Sequence, residues 1–299
     1  MNLLGCGITF AVRIVIFIQR NLKKINLSRI DDGELKVMFF HSDITPIYYV
    51  LPAIGFIVGL FGTMLGGGGG FIFLPLLTLL LHVPASVAVT TSLVATLPIC
   101  IVGVLGHVKG RNIAFNIVPV FLLMGIAGTF AGAAIAGWIS SEKLKAAFGI
   151  YAVLIAVNLL HDTWKRKERN QTARKQRKGT KIIKGSFFGL MAGLITGVFG
   201  ASGTAPVLAG LLSMDIPLKK VIGTSLLVVL VNTVFAIGAH SLVGQIDLTL
   251  VYFLTAGSAL GAILGPMLLS KANVGSSENK IRYGYAAVMV AIGVLMIIK

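Results

Sequence analysis

The stretch GTMLGGGGGFIFLPLL, Gly62 to Leu77, sets five consecutive glycines, Gly66, Gly67, Gly68, Gly69 and Gly70, in one of the most apolar parts of a 299-residue chain. Between Pro46 and His82 no charged residue occurs across 35 positions, and a single helix of that length would run to about 50 Å. A bilayer core is only about 30 Å thick, so a helix here has to break. Glycine tolerates positive φ and costs about 1 kcal/mol per residue inside a helix, which marks the run as the breakpoint. Pro75 has no N–H to offer and fits near the start of the short helix expected beyond the run, Phe71 to Leu81.

The rest of the chain matches this reading. It is 56% hydrophobic and only 12% charged, an excess of apolar residues that one water-soluble core does not need. Apolar stretches near 47–65, 86–106, 114–138, 146–160, 186–200, 221–241, 248–269 and 283–298 predict about eight transmembrane helices, with two short broken or re-entrant helices besides. The fold class is therefore an all-α, polytopic integral membrane protein. The formal charge of +16 does not point to a nucleic-acid partner, because the segment Lys165 to Lys184 alone holds 10 of the 26 Lys and Arg residues. Such a segment is a cytoplasmic loop under the positive-inside rule, and the chain is placed in the cell membrane with its linker, 162–184, inside. Cys6 and Cys100 lie far apart in apolar surroundings and suit neither a disulfide nor a metal site. Residues 1–45 stay open between an extra span, a signal segment and a leader upstream of an alternative start at Met38.

The chain is also written twice. HVPASVAVTTSL contains Pro84 and Thr91-Ser92, while MDIPLKKVIGTSL contains Pro217 and Thr224-Ser225, and each landmark recurs after 133 residues. His107 and His240, Gly128 and Gly261, and Gly132 and Gly265 keep the same spacing. Two repeats, 46–161 and 185–299, are thus expected on either side of the basic linker. Duplications of this kind are a signature of secondary transporters, whose substrate sites form where the repeats meet. Glycines at four-residue steps, such as Gly189, Gly193 and Gly197, read as helix-packing faces.

An interrupted helix at membrane depth must face protein or a water-filled cavity. Bare N–H groups at the start of a short helix carry partial positive charge and suit an anion. The corresponding stretch of the second repeat, GVFGASGTAPVLAGLL, offers Gly200, Ser202, Gly203 and Thr204. These residues, the five glycines, Thr91, Ser92, Thr224, Ser225 and the mid-span Asn232 form the candidate substrate-binding set. The competing reading makes the glycines packing residues, the Thr and Ser hydroxyls helix caps, and Asn232 a helix-to-helix bond. His107 and His240 are candidates for a proton relay, against a plain interfacial role near the span ends. The glycine run lacks the Lys and Ser/Thr of a phosphate-binding loop. All ten acidic residues, Asp215 and Asp247 among them, fall outside the spans or at their ends, so no buried carboxylate is expected for a cation. The same lack removes the paired acids that a membrane hydrolase would use. No metal, cofactor or catalytic residue is expected.

With the GxxGGGGGxxxxPLL and TSL elements in place, the chain resembles the sulfite exporter TauE/SafE family, also called the toluenesulfonate uptake permease family. The likeness covers about Ile47 to Ile298 and rests on Gly62 to Pro75 with Thr91-Ser92-Leu93, echoed by Gly197 to Pro206 with Thr224-Ser225-Leu226. The resemblance implies a duplicated all-helical carrier for sulfite, sulfonates or related organic anions. This sequence departs from the family at Gly200-Ala201-Ser202-Gly203-Thr204, where members often carry a second glycine run.

The reading is therefore a secondary carrier whose partners are a small anionic substrate and the lipid bilayer, with a homo-oligomer left open. An anion-selective channel and a non-transporting membrane scaffold are the alternatives. If the short helices are re-entrant, eight spans place both termini inside; if they cross, the repeats are inverted. Counts of Lys and Arg do not separate the two.

Overall fold

The computed structural model describes residues 39–298 except 65, 167–177, 202, 215, 241–244 and 272–273. The candidate Ser202 and also Cys6 and Asp215 therefore lie outside the described residues. A two-residue strand β1 (Phe39–Phe40) and a short 3-10 turn (Pro46–Val50) lead into α1 (Leu51–Met64). Next come α2 (Gly70–Pro75), which continues as a π-helical turn over Leu76–Leu80, then α3 (Ala85–Lys109), α4 (Val118–Trp138) and α5 (Ser141–Arg166). The second half holds α6 (Lys178–Phe199), α7 (Thr204–Leu212), α8 (Leu218–His240), the strand β2 (Ile246–Asp247), α9 (Leu248–Lys271) and α10 (Val274–Ile298). The all-α expectation holds apart from the parallel pairing of β1 with β2, in which Phe39 faces Ile246 and Phe40 faces Asp247.

Among the described residues, six helical stretches are long and apolar enough to cross a membrane: Pro46–Met64, Ala85–Lys109, Val118–Trp138, Gly179–Phe199, Leu218–His240 and Leu248–Leu268. The expected span 146–160 is the middle of α5, whose first turn carries Glu142 and Lys143, and 283–298 is the latter part of α10.

The packing partners are exchanged between the two halves of the chain. Helix α1 lies along α9, and α6 lies along α4. Both contacts are made by glycines at four-residue steps. A Cβ on Gly257, Gly261 or Gly265 would run into Pro52, Phe56 or Thr63 of α1, and a Cβ on Gly189, Gly193 or Gly197 would meet Phe121, Gly125 or Thr129 of α4. Each pair is parallel, since both residue numbers rise together along the contact. Small residues allow backbones to approach closely where lipid offers no hydrophobic drive between helices. Helices α3 and α8 pack on each other in the middle, and α5 packs on α10 through Gly149 and Gly293.

The contacts define two ends of the bundle. At one, here the strand end, Tyr48 meets Phe253 edge to face at 5.7 Å, and the second turn of α3 is bonded to the loop carrying β2. Because Thr90 and Thr91 near the start of α3 are bonded to Gln245 and Asp247 just before α9, the chain that enters with α1 returns to this end after α2. At the other, the basic end, Lys184 near the start of α6 donates from Nζ to the Ser213 carbonyl just after α7. The unit α6–α7 therefore enters and returns at the basic end. Lys109, Arg111, Lys219 and Lys220 border the connections at this same end.

A side chain at Gly257 has no room beside the Pro52 carbonyl, whereas one at Gly137 meets nothing within 4 Å. Gly257→Val is expected to lower the thermal midpoint of the detergent-purified protein by separating α1 from α9. Gly137→Ala is expected to change stability by no more than about 1 kcal/mol, its gain in helix propensity included.

Candidate functional site

Both helix breaks are built by glycines that leave the right-handed region. Gly66, Gly68 and Gly69 have φ of 75°, 63° and 80°, and Gly200 has φ of 58°. The N–H groups of Gly67 and Gly68 both donate to the Gly62 carbonyl, at 2.7 and 3.1 Å, and close the end of α1. Those two donors, which the sequence left bare for an anion, are thus spent on the chain's own helix end, because a terminal carbonyl inside a bilayer needs a partner. In the second break the Gly203 N–H donates to Thr196 Oγ1 at 3.0 Å. The short helix also starts one residue earlier than expected, at Gly70.

The two breaks touch. Thr204 Oγ1 donates to the Gly67 carbonyl at 3.3 Å, joining the start of α7 to the first break. All of the glycines Gly66 to Gly70, with Gly200, Gly203 and Thr204, are buried. Their surroundings are tight: a Cβ on Gly66 would meet Ile222, one on Gly68 would meet Cys100 Sγ, and one on Gly69 would meet Val58.

The Thr-Ser pairs are not helix caps. α3 begins at Ala85 and α8 at Leu218, a turn or more before them, and the N-cap Pro84 makes no side-chain cap. Instead the hydroxyls reach across to the other half. Ser92 Oγ shares its proton between the Val89 carbonyl of its own helix at 2.8 Å and the Gly200 carbonyl at 3.1 Å, and Ser225 Oγ donates to the Gly66 carbonyl at 3.0 Å. Thr91 Oγ1 accepts the Asp247 N–H at 3.1 Å, and Thr224 Oγ1 accepts the Ala114 N–H at 2.9 Å. Asp247 and Ala114 are themselves 133 residues apart. Thr90 adds a bond from its hydroxyl to the Gln245 carbonyl.

The histidines are buried rather than interfacial, with relative exposures of 1% for His107 and 9% for His240. A ring nitrogen of His240 reaches the Gly197 carbonyl in the last turn of α6, at 2.6 Å. His107 sits in the last turn of α3, and neither of its ring nitrogens has a hydrogen-bond partner among the described residues. The two lie at opposite ends of the bundle, in the last turns of α3 and α8. Asn232 is fully buried against Gly125 of α4, and neither of its amide atoms is hydrogen-bonded among the described residues. The hydrogen bond to another helix that the sequence allowed for this residue is not formed there. An unpaired buried amide costs about 1–3 kcal/mol, which sets Asn232 apart from the hydrogen-bonded hydroxyls around it.

One carboxylate expected to stay outside the protein interior is buried. Asp247 is 2% exposed, and its Oδ1 accepts the N–H groups of Thr249 and Leu250, at 3.0 and 3.3 Å, at the start of α9. It also accepts the Ser42 N–H at 3.4 Å, and the Ser42 carbonyl accepts from Thr249 Oγ1. Its charge is held by a helix N-terminus, which favours an anion there. Two further residues belong with the breaks, Thr63 and Thr196, which donate back to Gly59 and Ala192 at 2.9 and 2.8 Å. They are 133 residues apart as well, a signal the landmark comparison passes over.

A helical bundle with two buried breaks in contact, and with several apolar helices long enough to cross a bilayer, is the build of a multi-pass membrane protein. A family model described as "Sulfite exporter TauE/SafE" matches residues 51–296, and the chain belongs to that family. It is similar to "Probable membrane transporter protein YdhB" of Bacillus subtilis, at 27% identity over 73% of this chain and 87% of that one. A "Probable membrane transporter protein" of Xylella fastidiosa is 26% identical over 82% of this chain and 91% of its own. No solved structure matches the chain significantly. Membership implies a small-molecule substrate and lipid surroundings.

Gly68→Ala forces a Cβ into a positive-φ residue and against Cys100 Sγ. The expected loss of stability is about 2–4 kcal/mol from the two effects together. In a Cys100→Ala background the same substitution is expected to cost measurably less, and thermal unfolding of the four proteins completes the cycle.

Proposed function

We propose that this protein is a secondary carrier for small anions such as sulfite, sulfonates or related organic anions. It is built from two inverted repeats, 46–161 and 185–299, joined by the cytoplasmic linker 162–184, with residues 1–45 preceding them. The observation that carries the proposal is the meeting of two broken helices, one entering from each end, at Thr204 and Gly67. Inverted repeats with broken helices hold their substrate where the breaks meet. The Thr91 and Thr224 bonds, whose two partners both recur at the same spacing, support the repeat, and the parallel packing of α1 on α9 and of α6 on α4 supports the inversion. The clustering of Lys109, Arg111, Lys184, Lys219 and Lys220 at one end supports a cytoplasmic basic end in the cell membrane.

Within the site the donors divide by commitment. Gly67, Gly68, Ser92 and Ser225 give their hydrogen bonds to the protein, whereas the Asn232 amide has none to give up. An amide NH2 offers two donors to an oxyanion, and Asn232 is assigned the substrate contact, with Thr204 and the N-terminus of α7 beside the meeting point. His107 and His240 are proton-coupling sites acting separately, each at its own end. The close packing around Gly66, Gly68 and Gly69 supports a carrier rather than a channel, which needs a continuous wet path.

The test is efflux of sulfite and of a small sulfonate from proteoliposomes, with and without an imposed potential. Saturable flux is expected from the parent. Asn232→Leu is expected to lower flux at least about tenfold, the loss of one or two hydrogen bonds to a charged group, while thermal stability is kept or raised. Absence of flux for either anion, from protein shown to be folded, would leave the breaks as packing devices in a membrane scaffold.

A further inference from the structure

The carbonyls of Gly66 and Gly200 stand just past the ends of α1 and α6, where a helix has no N–H left to give them. Each is reached from the opposite half of the chain, Gly66 by Ser225 and Gly200 by Ser92, whose one proton is shared with the Val89 carbonyl of its own helix. Beside each serine, the preceding threonine holds the connecting loop of the opposite half, Thr224 at Ala114 and Thr91 at Asp247. The Ser225 pair sits on the first turns of α8 at the basic end, and the Ser92 pair on the second turn of α3 at the strand end.

We propose, resting on the carrier reading above, that these residues do not touch the substrate but position the breaks, as two latches of which one is released at a time. The physical link is the carbonyl. If Ser225 moves away, Gly66 needs another donor inside the bilayer, and the one available is water. Release of a latch and entry of water from that end are therefore the same event. With the Ser225 latch open, the path from the basic end reaches the first break; with the Ser92 latch open, the path from the strand end reaches the second. The ends are not equal. At the strand end the latched loop is clasped by hydrogen bonds as well, by β1 on β2 and by Ser42 on Asp247, whereas the basic-end loop is held by the packing of Ile113 and Ile117.

Cys100 reports on the first latch. It is fully buried, with Sγ in the space a Gly68 side chain would take, so the break covers it. In the full-length protein carrying Cys6→Ser it is the sole thiol. Vesicles of known orientation are treated, without substrate, with a membrane-impermeant maleimide from either face. Ser225→Ala is expected to speed alkylation of Cys100 about fivefold from the basic-end face, the population shift that one hydrogen bond of ordinary strength produces. Thr224→Val is expected to act in the same direction, and Ser92→Ala to leave the rate from that face unchanged or lower. Equal acceleration by Ser92→Ala and Ser225→Ala would show general loosening and overturn the proposal. So would an unchanged rate in every variant. Because the readout contains no anion, a missing flux would reject the carrier while this result stayed legible.

Discussion

Inside a bilayer every peptide group has to find its partner within the protein. A helix broken at Gly66 or at Gly200 leaves a carbonyl that its own chain cannot satisfy, and much of the bundle is arranged around meeting that need. Ser225 and Ser92 supply the missing donors from the other half, and Thr204 does the same for Gly67. These bonds hold α8 against the first break and α3 against the second. They therefore dictate the central pairing of those helices and draw the two halves into one body.

Close approach is the second requirement. For the breaks to touch, α1 and α6 must penetrate deeply beside α9 and α4, and their glycine faces let backbone lie on backbone, as at Gly257 over Pro52 and Gly193 over Gly125. The same residue type thus has two uses in this chain. Along the helices it removes a side chain; at Gly66, Gly68, Gly69 and Gly200 it permits a positive φ. The first use makes the bundle stable and the second makes it interruptible, and transport calls for both.

How far the sequence reaches can be judged residue by residue. The uncharged run from Pro46 to His82 foretold the break, and the spacing of 133 foretold that Thr91-Ser92 and Thr224-Ser225 would be equivalent. Equivalence is not contact, however. Nothing local says that Thr91 meets Asp247, 156 residues away, or that Ser92 meets Gly200, 108 residues away. Long-range pairing arises only when the whole bundle is packed, which is why hydroxyls that read locally as caps form ties between halves. Asp247 misled for a related reason. A carboxylate at a span end reads as solvated, yet the N-terminus of α9 and Ser42 together bury it. His107 and His240 were legible as a pair but not as buried residues at opposite ends, since hydropathy places a span's end without saying what covers it.

The central claim is that the two broken helices enter from opposite faces of the membrane. Two positions at the mouths of the hairpins test it: Thr45, exposed just before α1, and Gly179, where a new side chain meets nothing within 4 Å. Thr45→Cys and Gly179→Cys, each in a Cys6→Ser background, are labelled in intact cells with a membrane-impermeant thiol reagent, before and after permeabilisation. The account predicts that Thr45→Cys reacts in intact cells and that Gly179→Cys reacts only once the membrane is opened. Labelling of both from the same face would contradict it.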